Sequence, residues 1–188
     1  MLIQTSLRLC TLRPWHSDDK EDLVKQANNR NVWRNLTHHF PHPYTDADAQ
    51  NWLCIASEAG RSHHLAITHA GKAIGGVGAI AGEGIAQRTA QFGYWLGEAY
   101  WGKGIASAAT SAFLAYLEAL GTFIRLEAPV FAWNPVSMRV LEKLGFEREG
   151  LLRKSVSKDG ELIDSVMYAY IIPPSLSKTA SALRPETF

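Results

Sequence analysis

The stretch Tyr94-Trp95-Leu96-Gly97-Glu98-Ala99-Tyr100-Trp101-Gly102-Lys103-Gly104-Ile105-Ala106 limits the possible folds more than any other part of this chain. Arg88 to Leu96 has the alternation of a strand, and Gly104 to Leu120 reads as a long helix with Ala106, Phe113, Leu114 and Leu117 on an apolar face. A strand therefore runs through a glycine-bearing turn into a helix. Glycine lets the backbone turn tightly and lets a bulky anion come close. The first helical turn then aims unpaired N–H groups, aided by the helix dipole, at that anion. The residues alone leave two readings open, a phosphate or pyrophosphate cradle and a strand-helix turn with no ligand. Two nucleotide motifs do not fit. Gly97-x4-Gly102-Lys103 is followed by Gly104, where a magnesium-holding P-loop needs Ser or Thr. A dinucleotide fingerprint also fails, because the spacing is Gly-x-Gly-x-Ala and no acidic residue closes a second parallel strand about twenty positions on.

The surroundings predict one α+β domain over residues 1–172 and a C-terminal tail over 173–188, rich in Pro, Ser and Thr. Leu7 to Arg13 alternates as a half-buried strand, and Ser17 reads as the cap of a helix whose first turn is acidic, with Asp18, Asp19, Glu21 and Asp22. Asn31 to Tyr44 begins helical and ends in a proline-broken loop; Thr45 opens a second helix that Gly60 stops. His64–Thr68 and Ala73–Ala81 read as strands, with Gly75, Gly76 and Gly78 marking close packing or a bulge. Phe123–Phe131 is a strand, Pro135–Leu144 a short helix ended by Gly145, and Leu162–Ile172 a last apolar strand.

Composition narrows the functional classes. At 188 residues with net charge +1, the chain carries no overall field that would attract nucleic acid or a membrane surface. No run of 18 apolar residues occurs, and the N-terminus does not read as a signal peptide. Cys10 and Cys54 lack metal or redox spacing and read as small apolar side chains. The expectation is a cytoplasmic protein. His38, His39 and His42 have no cysteine or carboxylate at ligand spacing, so no metal is expected.

Trp101-Gly102-Lys103-Gly104-Ile105-Ala106 resembles the acyl-CoA signature of the GNAT N-acetyltransferase superfamily. Downstream, Asn134-Pro135-Val136-Ser137-Met138-Arg139-Val140-Leu141-Glu142-Lys143-Leu144-Gly145-Phe146 resembles the helix that follows it there, and one helix and one strand fill the interval. The GYWL run and Phe146-Glu147-Arg148-Glu149-Gly150 are similar to the RimJ/RimL-like branch. The likeness extends from Leu7 to about Ile172. It implies a twisted mixed sheet of about seven strands, flanked by about four helices, whose parallel strands Arg88–Leu96 and Phe123–Phe131 splay to admit acetyl-CoA. Trp101, Gly102, Lys103, Gly104, Ile105 and Ala106 would meet the pyrophosphate, Trp95 and Leu96 the pantetheine at the strand end, Asn134 the pantetheine arm, and Ser137 the thiol end. A backbone N–H at that strand end would polarise the thioester carbonyl.

The resemblance is incomplete at the catalytic positions. Leu141 stands where many members carry a tyrosine acid, and Gln91 where many carry a glutamate base. Ser137, one turn before Leu141, is the candidate proton donor to the leaving thiolate. Glu98 and His39 are the candidate bases, with His38 beside His39 in the proline-broken loop and a water chain as the other route; Glu98 also reads as a residue that stabilises the turn. Trp33, His38 and Phe40 are the candidate acceptor-binding residues. The expected reaction is acetyl transfer to a primary amine by direct attack. By similarity the acceptor is the α-amine of a protein N-terminus. A small amine acceptor and a non-catalytic acyl-CoA-binding regulator both remain open, as does the choice between monomer and homodimer.

Overall fold

The computed structural model describes residues 1–58 and 60–174; residues 175–188 of the expected tail lie outside that range. In chain order the elements are β1 (Ile3–Gln4), β2 (Cys10–Pro14), α1 (Lys20–Ala27), α2 (Arg30–Trp33), α3 (Asp46–Ser57), β3 (His63–His69), β4 (Lys72–Ala81) and β5 (Thr89–Leu96). Then come α4 (Ile105–Leu120), β6 (Arg125–Phe131), α5 (Pro135–Lys143), β7 (Glu147–Lys158) and β8 (Glu161–Ile171). The strands form one sheet in the order β1-β2-β3-β4-β5-β6-β8-β7. Every neighbouring pair is antiparallel except β5 and β6. The mixed α+β architecture agrees with the sequence reading.

Alternation along the strands builds a core on each face. Ile67 and Ile74 join Phe92, Phe113, Leu117, Leu126 and Phe146 beneath α4 and α5. Their chain neighbours Ala66 and Ala73 turn the other way, into a second cluster with Trp15, Leu23, Ala27, Tyr44 and Leu53 under α1 and α3. α4 presents Ile105, Ala109, Phe113 and Leu117 inward at helical spacing, and Gly121 ends it in the left-handed conformation, φ 64°. Fully burying Phe113 and Leu117 contributes roughly 1.5–3 kcal/mol each.

Three differences from the sequence reading have local causes. The first long strand begins at Cys10 rather than Leu7, because Thr5 Oγ1 donates to the Cys10 carbonyl at 2.8 Å and Leu9 takes φ 67° to close that loop. The two-residue β1 and the edge strand β7 make eight strands, and the one-turn α2 makes five α-helices among the described residues. β7 has little apolar alternation because it is mostly exposed and pairs on one side only, with β8.

Close packing, rather than a simple pleat, explains the glycines of β4. A Cβ at Gly75 would collide with the Trp95 carbonyl oxygen, and one at Gly76 would press on the Trp95 and Trp15 rings. These glycines let β4 lie against the end of β5, where the strand leaves the sheet. Gly75→Ala should lower stability by about 1–3 kcal/mol. Gly93→Ala, with nothing within 4 Å of the new methyl, should change it by less than about 0.5 kcal/mol. Urea midpoints of the two variants, measured side by side, check the contrast.

Candidate functional site

β5 and β6 pair only over Thr89↔Arg125, Ala90↔Leu126 and Gln91↔Glu127. Beyond that point β5 stays with β4 up to Leu96↔Gly75, and β6 stays with β8 up to Phe131↔Ser165. The two parallel strands therefore part toward their C-terminal ends. The Gly97 N–H bonds the Ile74 carbonyl on the β4 side. Strand alternation then turns the backbone groups of Leu96 and Tyr94 toward the gap, where no strand meets them. This is a short interior edge with unpaired donors and acceptors.

The glycine turn lies at the open end of the gap. After β5 comes a 3₁₀ turn, Glu98–Tyr100, then Gly102 and Gly104 with φ of 72° and 74°. Gly104 is the N-cap of α4 and has no side chain with which to cap it. The first intrahelical bond runs from Ala108 N–H to the Gly104 carbonyl, so the N–H groups of Ile105, Ala106 and Ser107 have no helical acceptor. The Ile105 side chain is buried and anchors the turn to the core. Trp101 folds back, its indole N–H donating to the Leu96 carbonyl at 2.7 Å. Lys103 Nζ donates to the Ala99 carbonyl at 2.8 Å. Trp101 and Lys103 thus brace the turn, and Leu96 keeps only its N–H free toward the gap. A cavity of about 220 Å³ lined by Leu7, Arg8, Cys10, His69, Lys103 and Ile105 adjoins this turn.

Asn134 and Ser137 meet at the start of α5. Asn134 Oδ1 accepts from Ser137 N–H at 3.1 Å, so its carbonyl oxygen serves as the helix cap. The Ser137 hydroxyl shares a 2.9 Å hydrogen bond with Tyr94 Oη. Tyr94 extends from β5 on the same face as Phe92 and Leu96, so this bond joins the two sides of the gap. Burial pushes the Tyr94 phenol above its ordinary value, against a smaller downward pull from Ser137. Tyr94 therefore holds its proton at neutral pH. Sequence reasoning missed Tyr94 because strand alternation assigns it only to the core side.

The other candidates separate. Both carboxylate oxygens of Glu98 are engaged, by Asn29 Nδ2 at 2.7 Å and Asn31 Nδ2 at 2.9 Å, which ties α2 to the end of β5. His38 and His39 are exposed, and their rings lie against each other at a tilt of 41°, centroids 3.8 Å apart. Phe40 packs on Tyr44 and on Trp95 within the second core. Trp33 carries His42 at 5.5 Å and Lys158 Nζ at 3.8 Å from its ring. Among the described residues no three His, Cys, Asp or Glu side chains gather as a metal site, and no helix is long and apolar enough to cross a membrane.

Comparison with known proteins agrees with this geometry. Residues 9–147 match the acetyltransferase (GNAT) domain family. The chain is 41% identical over 88 residues to the probable N-acetyltransferase YjcK of Bacillus subtilis (strain 168), covering 47% of this chain and 49% of that one. It is 34% identical over 85 residues to the ribosomal-protein-serine acetyltransferase of Escherichia coli (strain K12), covering 45% and 48%. The matches span about half the length of these curated relatives. Among solved structures, the ribosomal L7/L12 α-N-protein acetyltransferase RimL in complex with coenzyme A superposes with a TM-score of 0.80 at 22% identity, covering 92% of this chain and 98% of that one.

Asn134→Ala should cost about 1 kcal/mol through loss of the α5 cap, and Asn134→Asp should recover most of it. Thermal or urea unfolding of the two variants reads the difference.

Proposed function

This chain belongs to the acetyltransferase (GNAT) domain family, and on that footing we propose that it moves an acetyl group from acetyl-CoA to a primary amine, the α-amine of a protein N-terminus. The uncapped first turn of α4 carries this reading. Three free N–H groups behind a glycine N-cap, at the mouth of a gap edged by unpaired strand backbone, suit a pyrophosphate followed by an amide-bearing arm. Gly102, Lys103, Gly104, Ile105 and Ala106 would hold the first, mainly through backbone. Trp95, Leu96 and Tyr94 would flank the second.

Acetyl-CoA supplies an activated acetyl thioester, so the chain needs only to orient it, stabilise charge on the carbonyl oxygen and manage two protons. The free Leu96 N–H is a donor aimed into the gap for that oxygen. Ser137 Oγ holds a proton on the α5 side, suited to a departing thiolate, and the Tyr94 hydroxyl at 2.9 Å can replace it. Glu98 is a positioning residue rather than a base, because both its oxygens already accept hydrogen bonds that hold α2. His39 is the remaining side-chain base candidate, and release of the amine proton to water is the other route. The protein N-terminus as acceptor rests on similarity to the ribosomal-protein acetyltransferases.

Titration with acetyl-CoA, followed by thiol release with a panel of N-terminal peptides and small amines, tests the whole reading. Ser137→Ala should lower kcat by about 10²-fold, while the KM for acetyl-CoA stays within about threefold. Absence of coenzyme A binding would overturn the proposal. Binding with turnover of small amines only would reassign the acceptor.

A further inference from the structure

Lys158 is a cation without an anion. It ends β7, at the turn into β8, and is only 7% exposed. Its ammonium sits 3.8 Å from the centroid of the Trp33 ring, and among the described residues it makes neither an ion pair nor a hydrogen bond. The neighbouring Asp159 is already bound to Arg30 at 2.6 Å. Burial holds the Lys158 ammonium below the usual lysine range, with Asp159 pulling weakly the other way. A buried ammonium against an indole face keeps part of its charge unsatisfied, because cation–π attraction returns less than the water and hydrogen bonds it replaces.

The position of this cation relates it to the gap. The β7–β8 hairpin continues past the end of β6, since Phe131 faces Ser165 while the hairpin runs on to Lys158↔Glu161. Three residues of β7 between Leu152 and Val156 oppose one of β8, and Asp164 Oδ1 accepts from Lys154 N–H within this bulge. A bulge bends its strand, and beyond this one the hairpin tip meets α2 through Arg30–Asp159 and Trp33–Lys158. α2 is held to the end of β5 by Glu98. The contacts therefore form a bridge from β5, through α2 and the hairpin, back to β6. It spans the open end of the gap.

Two cations of this bridge lack a carboxylate partner. Arg34 lies over the Trp133 ring at 4.8 Å, just after β6, and it too makes no ion pair among the described residues. Asp159 and Glu98 are both engaged, and Glu161, opposite Lys158 in the hairpin, is exposed and pairs with neither cation. We infer that Lys158, assisted by Arg34, receives a carboxylate of the acceptor, so that the preferred acceptor is a peptide with an acidic residue close behind its free α-amine. This rests on the N-terminal reading proposed above. The same charges disfavour polyamines and lysine-rich termini, which would bring a second cation to the bridge.

Peptides of equal length, differing only in a neutral, acidic or basic residue at the second and third positions, test the inference through kcat/KM by thiol release. The acidic peptide should exceed the neutral one by about tenfold, chiefly through KM, and the basic one should fall below it. Added salt should shrink the spread. Lys158→Met should level the series, and Lys158→Arg should keep its order; Arg34→Gln, at an exposed position, should narrow the spread without disturbing the core. Turnover indifferent to peptide charge in the unaltered protein overturns this inference alone, as does a charge preference that survives Lys158→Met. Thiol release with small amines but with no peptide overturns the N-terminal reading and this inference with it.

Discussion

The early parting of β5 and β6 is the constraint on which the rest of the molecule depends. Two parallel strands joined by a long helix would ordinarily pair along their length. Here they pair over three residue pairs and then follow their outer neighbours. The separation leaves backbone donors and acceptors of β5 without a partner inside the sheet, a costly arrangement unless something else satisfies them. Some of the cost is offset locally, as Trp101 covers the Leu96 carbonyl and Tyr94 meets Ser137 across the gap. The remainder is a strand edge of fixed geometry, already desolvated on one side by the core. That is a surface prepared for an extended ligand with amide groups.

Each end of the gap is set by a different device. At the α4 end, glycine provides both the left-handed turn and the absence of a cap. An Asn or Ser in the usual extended N-cap geometry would occupy the N–H groups an anion needs, whereas the left-handed backbone at Gly104 leaves them open. At the α5 end the opposite choice is made: Asn134 caps the helix and so fixes where Ser137 points. An open helix start where charge must be bound and a closed one where a hydroxyl must be aimed are consistent with the roles proposed for each. The bridge of α2 and the β7–β8 hairpin adds the third wall, joined by side chains far apart in sequence.

How much of this was legible in the sequence follows from the range of the interactions. The strand-turn-helix at Tyr94–Ala106 and the short helix from Pro135 are local patterns, written in glycine, proline and apolar spacing, and the structure has both, although the sequence reading does not make Asn134 the cap of that helix. The β5–β6 splay came from the resemblance, not from periodicity, because pairing that stops early leaves no mark on either strand. Tyr94–Ser137, Glu98–Asn29 and Lys158–Trp33 link residues far apart in the chain. No local signal distinguishes a tyrosine that packs from one that also presents its hydroxyl to another element. Glu98 shows the limit in reverse. Its proximity to the turn leaves a proton acceptor and a brace of the turn both open, and only the position of α2 reveals that its oxygens are spoken for.

The engagement of Glu98 bears on how the acceptor loses its proton. An amine attacks only as the free base, and an ammonium must shed a proton first. A carboxylate base would hold the ammonium form more tightly before removing that proton, because opposite charge favours the charged state. The bridge offers instead Lys158 and Arg34, cations whose field disfavours a second positive charge nearby. An α-amine already titrates lower than a lysine side chain, near pH 8, and a positive surrounding lowers it further. In the proposed arrangement the proton would leave to solvent before the amine is fully seated, which favours release to water over a side-chain base. Gln91, at the strand position where the family resemblance leads one to expect a glutamate, fits such a site: cations placed to select an acidic acceptor, as proposed, would also favour its reactive, neutral amine.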